Sequence, residues 1–242
     1  MTTARTREFA ERLLFAAAAI GTVYSARTGN RKLQLATKPA AVPVLAARVA
    51  RARGLAPGEK GMLVAALVAA GAGDHFMGRS DEDGRLIRGA ASFGVMQTLY
   101  SALLWRRGAR PRAATAPPRL AAWAAATVAM ALPKLSPVSS LLSLYGGLLS
   151  TTSTLAADPV LAPKAKVAGG MVIPSGDRRT WIAAGALLFS ASDLAILIRR
   201  DFVTGERARA HLETFVLTSY LAAQWLLVEG MTAEDWKGRA AT

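Results

Sequence analysis

Two aspartates occupy positions where a carboxylate is costly. Asp193 lies well inside the apolar run from Trp181 to Ile198, and Asp74 sits near the end of another apolar run, in Gly71-Ala72-Gly73-Asp74-His75-Phe76-Met77. On insertion scales a charged side chain at bilayer depth costs roughly 2.5–3.5 kcal/mol unless it meets a partner or a water-filled cavity, so such a residue reads first as a functional site. The competing reading is a plain hydrogen bond between helices. Two carboxylates brought together from different helices take unlike protonation states, one donating a proton and the other holding negative charge. That is the arrangement of general acid–base chemistry near neutral pH.

Other polar residues fall at comparable depths. Lys38 is a cation in an apolar segment, suited to neutralising a carboxylate or binding a lipid phosphate, with snorkelling to the interface as the plainer alternative. Tyr100, Tyr145 and Tyr220 carry hydroxyls that can donate into a cavity, and Gln97 and Gln224 carry amides. The run Ser150-Thr151-Thr152-Ser153-Thr154 suggests inter-helix hydrogen bonds, since no histidine is spaced for a serine triad. Asp81-Glu82-Asp83 reads as a solvated loop.

The elements that must position these groups are apolar segments. Eight can be counted, at roughly 9–26, 33–50, 61–78, 86–105, 119–133, 138–156, 181–199 and 211–229, several of them short or alanine-rich beside the roughly 20 residues that cross a bilayer. Segments two and five are the weakest. Segment two holds Pro39 and Pro43, tolerable where neighbouring helices satisfy the freed backbone. Pro117-Pro118, Pro133 to Pro137 and Pro174-Ser175-Gly176-Asp177 mark turns, and the longest connection is 158–180. The N-terminal run after Arg5, Arg7 and Arg12 reads as a first membrane helix because no cleavage-site pattern follows it. The expectation is an all-α, polytopic membrane helix bundle of about eight transmembrane helices, a single transmembrane domain over 1–242.

Composition agrees. Hydrophobic residues make up 52% of the chain, and the formal charge of +14 comes from short basic clusters beside apolar runs. Positive-inside bias explains such clusters better than a nucleic-acid footprint, and a basic face suits anionic lipid. The absence of cysteine excludes disulfides and thiolate sites, and two histidines are too few for a three-histidine metal site. With the N-terminus cytoplasmic, eighteen Lys and Arg flank the inner ends and eleven the outer, which favours both termini inside. At about 1.5 Å per residue, alternating helices place Lys38, Asp74 and Asp193 within roughly 4–10 Å of one face, whichever way the protein sits.

At this point the ordered motifs resemble a known family. Gly185-Ala186-x-Leu188-Phe189-x-x-Ser192-Asp193 looks like the signature of the YhhN-like lysoplasmalogenase family of integral membrane proteins. Lys38-Pro39, Gly73-Asp74, Phe93-x3-Gln97-x2-Tyr100, Tyr145 and Tyr220-x2-Ala223-Gln224 are similar to its landmarks on successive spans. The resemblance implies hydrolysis of the vinyl-ether bond of lysoplasmalogens to a fatty aldehyde and a glycerophospho-head group. It implies Asp74 and Asp193 as catalytic groups, with Lys38, Gln97, Tyr100, Tyr145, Ser192, Tyr220 and Gln224 as substrate-binding residues. It implies no cofactor and no metal. The partners are a lysophospholipid substrate and membrane lipids, in what is expected to be a bacterial inner membrane. One departure is Gln97, where the family usually has histidine; glutamine hydrogen-bonds but relays no proton at neutral pH.

Three other readings compete. A proton-coupled transporter would use the carboxylates for cations and predicts inverted repeats, which are not visible. A scaffold without chemistry would tolerate Asn at both aspartates. An intramembrane aspartyl protease is suggested by Gly71-x-Gly73-Asp74, but the two preceding segments hold no aspartate as its partner.

Overall fold

The computed structural model describes residues 2–77, 82–132, 136–233 and 236. The chain is all-α, with eight helices among the described residues. They are α1 Thr2–Thr28, α2 Arg31–Arg51, α3 Pro57–Met77, α4 Asp83–Arg106, α5 Ala116–Ala131, α6 Pro137–Ala156, α7 Trp181–Asp201 and α8 Glu206–Met231. The eight apolar segments thus all become helices, extended at their ends by a few polar residues. Arg79, Ser80, Asp81, Pro133, Lys134, Lys237 and Arg239 lie outside the described residues.

Helix starts follow local chemistry. Gly29, at φ +68°, turns the chain out of α1, and the Asn30 side chain accepts from the Leu33 amide at 3.1 Å to open α2. Ser136 and Ser139 form a reciprocal capping box, with Pro137 in the first turn, at the start of α6. Pro39 and Pro43 both sit inside α2, which continues through them. The acidic stretch is not a free loop where it is described. Glu82 is the N-cap of α4, and Asp83 begins that helix and pairs with Arg200 at the end of α7. The connection after α6 holds a small antiparallel hairpin, β1 Val167–Ala168 with β2 Met171–Val172, turned by Gly169 and Gly170 at positive φ.

Packing closes seven helices into a ring in the order α1, α2, α3, α4, α6, α7, α8 and back to α1. Helix α5 stands outside the ring against α6, and none of its residues is buried. Glycines set the closest approaches. A Cβ on Gly185 would come within 2.9 Å of Leu227 and 3.0 Å of the Ala223 carbonyl, so α7 and α8 meet backbone to backbone there. A Cβ on Gly73 would meet the Phe93 ring at 2.9 Å, so α3 lies directly on α4 beside Asp74. One end of the ring is clamped by Glu229 of α8. This fully buried carboxylate reaches Arg48 of α2 at 2.7 Å and Arg178 before α7 at 2.9 Å.

Among the described residues one helix, spanning Arg178–Asp201, is long and apolar enough to cross a membrane by length and composition, with a mean hydropathy of 1.9. Large apolar side chains also face outward on other helices: Leu14 on α1, Val68 on α3, Val95 on α4, Val128 on α5, Leu144 on α6 and Phe215 on α8.

Candidate active site

Asp193 stands between two cavities. The wider has a volume of about 410 Å³ and runs along α6 between α4, α5 and α7. Its wall is mainly apolar, with Phe93, Trp123, Leu149, Leu187 and Leu194 among the lining side chains. The narrower, about 40 Å³, brings the polar side chains of Lys38, Asp74, Ser192, Arg199, Glu213 and Tyr220 together among apolar ones such as Val216 and Leu217. Asp193 lines both, as do Met77, Phe93 and Ile196. The two aspartates therefore share the narrow cavity, and Asp193 alone of the pair also faces the wide one.

Each carboxylate is held by a tyrosine from a different helix. The Tyr145 hydroxyl of α6 donates to Asp193 Oδ2. The Tyr220 hydroxyl of α8 donates to Asp74 Oδ2 at 2.8 Å. Behind Tyr220 the chain continues inward: Gln224 Nε2 donates to the Tyr220 oxygen at 3.2 Å, and the Tyr100 hydroxyl donates to Gln224 Oε1 at 3.1 Å. Lys38 acts electrostatically on Asp74 and lines the narrow cavity with it. Phe93, Phe189 and Tyr220 stack edge to face, with centroids 5.5–5.9 Å apart, and fix the ring that carries the Tyr220 hydroxyl.

The sequence-derived candidates thus divide into groups. Lys38, Asp74, Asp193 and Tyr220 border the narrow cavity, and Tyr145 borders the wide one. Gln97, Tyr100 and Gln224 are buried and border neither; they back the tyrosines. Gln97 hydrogen-bonds with the Tyr145 side chain, and its carbonyl accepts from Thr152 at 3.1 Å. Ser192 edges the narrow cavity, but its hydroxyl donates to the Val216 carbonyl at 3.0 Å and ties α7 to α8. In the hydroxyl run after Leu149, Thr152 bonds to Ser101 of α4 and Ser153 accepts from Arg119 of α5, so both link helices.

Sequence reading passed over Arg199 and Glu213, which pair at 3.1 Å in the narrow cavity. On the sequence alone, Arg199 is one of the eleven basic residues at the outer ends of the segments. Sequence reading also gave no role to α5, whose Arg119 and Trp123 form part of the wide cavity's outer wall. A usable signal was present: α5 is the short, alanine-rich segment with little to bury.

A family model described as the YhhN family matches residues 33–231, which include every residue discussed above around the two aspartates. No curated protein and no solved structure matches the chain.

Proposed function

The chain belongs to the YhhN family, and on that premise we propose that it is a polytopic membrane hydrolase that cleaves the vinyl-ether bond of lysoplasmalogens. Support for a membrane setting comes from the apolar span of α7 and the large apolar side chains turned outward on six other helices. The single observation that carries the chemical reading is the position of Asp193, with a mainly apolar cavity on one side and a small one bordered by charged groups on the other.

A vinyl ether is inert to base and is opened by acid. A proton adds to the outer alkene carbon, the carbon not bonded to oxygen, and leaves an oxygen-stabilised cation. Water adds to the carbon next to oxygen, and the resulting hemiacetal collapses to an aldehyde and an alcohol. Asp193 is the proton donor, because it alone of the pair faces the cavity that fits an alkyl chain. A volume of about 410 Å³ is within the usual range for ligand pockets, roughly 300–1,000 Å³. The narrow cavity, about 40 Å³, is sized for a few waters at roughly 10–15 Å³ each. Water from that side adds to the cation and returns a proton to Asp193, which restores the acid. Asp74 holds negative charge opposite Lys38, stabilises the cation and orients the water. Tyr145 and Tyr220 fix the two carboxylates in place.

The test is mass spectrometry of the purified protein incubated with a panel of lysolipids carrying vinyl-ether, alkyl-ether or ester linkages. Fatty aldehyde is expected from the vinyl-ether lipids alone. Fatty acid released from the ester lipids, or no product from any of them, would overturn the assignment.

A further inference from the structure

The wide cavity has a polar pole that the proposed reaction leaves unused. Arg119, in the first turn of α5, lines it, with Nε donating to Ser153 Oγ at 3.1 Å and Nη1 to the Thr115 carbonyl at 2.6 Å. Its Nη2 has no hydrogen-bond partner among the described residues. Ser150 lines the same cavity, is only 7% exposed, and its hydroxyl is also without a partner. A buried hydroxyl with no partner is destabilising, which makes it a receptive donor for an incoming anion. Ser150 and Ser153 lie five and eight residues beyond Tyr145 on α6, or about 7 and 12 Å along the helix. Between the poles the walls are apolar, formed by Ala122, Trp123, Leu149 and Leu187.

We propose that this pole binds the carboxylate of a single-chain fatty acid, with the hydrocarbon filling the cavity toward Asp193. A guanidinium presents planar paired donors that match a carboxylate, and the Ser150 hydroxyl adds a third. The tail then occupies the space beside Asp193, so a bound fatty acid competes with any substrate that must enter there. That competition rests on the proposed reaction; the binding does not. If the reaction is as proposed, a separate nicotinamide-dependent aldehyde dehydrogenase, taking a hydride from the aldehyde hydrate, turns the released aldehyde into this carboxylate with the same chain, and the site senses that downstream product.

Binding can be read without turnover. Trp123 lies one helical turn from Arg119, lines the cavity and donates from Nε1 to the Ser143 carbonyl at 2.8 Å. A mid-chain brominated fatty acid, titrated into the detergent-solubilised protein, should quench its fluorescence saturably. Trp123→Phe should remove most of that quenching. The methyl ester of the same acid should bind about tenfold more weakly, as should the acid to Arg119→Gln, with Arg119→Lys intermediate. The ester comparison uses the parent protein and does not depend on the variants folding. Equal binding of acid and ester, quenching that survives Trp123→Phe, or saturable competition by hexadecyl phosphate where palmitate gives none would overturn the proposal. Fatty-acid binding without aldehyde-releasing activity would support this site and count against the hydrolase reading alone.

Discussion

At the scale of single residues, the two aspartates should be equally necessary and their supports unequal. Asp74→Asn and Asp193→Asn each remove a carboxylate with little change in shape. Positioned proton transfer typically contributes about 10²–10⁴-fold and electrostatic stabilisation by one group about 10²–10³-fold, so aldehyde release from lysoplasmenyl lipid should fall by at least about 10² for either variant while both still fold in detergent. Near-parental release by either one would remove the pair from the mechanism. Tyr145 and Tyr100 separate positioning from packing. Tyr145→Phe deletes the donor to Asp193 at the cavity wall and should lower kcat about tenfold or more with KM nearly unchanged. Tyr100→Phe leaves Gln224 Oε1 buried without its donor, which costs about 1–3 kcal/mol. It should therefore lower the thermal midpoint while turnover per folded molecule stays near the parent's. The aspartates were legible in the sequence because a carboxylate inside an apolar run has few innocent explanations. The roles of Gln97, Tyr100 and Gln224 were not. Depth along a helix is readable from spacing, but spacing does not distinguish a side chain facing a cavity from one packed behind it. Arg199 and Glu213 were missed for a related reason: at a helix end, a charge that lines a cavity and a charge that marks topology look alike.

At the scale of elements, the eight helices were legible with errors of a few residues at their ends. Their middles read as long apolar runs, and Gly29, Asn30 and Ser136 mark where one helix ends and others begin. Less legible was the ring itself, because α4 skips its chain neighbour α5 to pack on α6. That choice depends on surface shape. The α7–α8 seam is the element contact on which the site depends most. Gly185 brings the two backbones together seven residues before Ser192, which ties α7 to the Val216 carbonyl beside Asp193. Gly185→Val would force its side chain against Leu227 and the Ala223 carbonyl. Overpacking of this kind costs typically about 1–3 kcal/mol, so the variant should melt earlier. It should also lose more turnover than its stability loss explains. A thermal shift without a matching loss of turnover would mean that the seam is structural only.

At the scale of the whole molecule, the arrangement is a seven-helix ring with an outer helix, two cavities that share Asp193 in their walls, and an ion-pair clamp at the end away from the narrow cavity. The basic count of eighteen against eleven predicts Lys164 inside and Thr204 outside. Both are exposed, and the parent has no cysteine. Single Lys164→Cys and Thr204→Cys variants should therefore label from opposite sides of intact cells, and labelling from the same side would contradict the topology. The proposed reaction turns on one proton, which Asp193 delivers to the outer alkene carbon before water adds. Run in heavy water with unlabelled lysoplasmenyl lipid, the reaction should give an aldehyde with one deuterium on the carbon next to the carbonyl, read directly by mass spectrometry. An aldehyde released with no deuterium at that carbon would contradict the account.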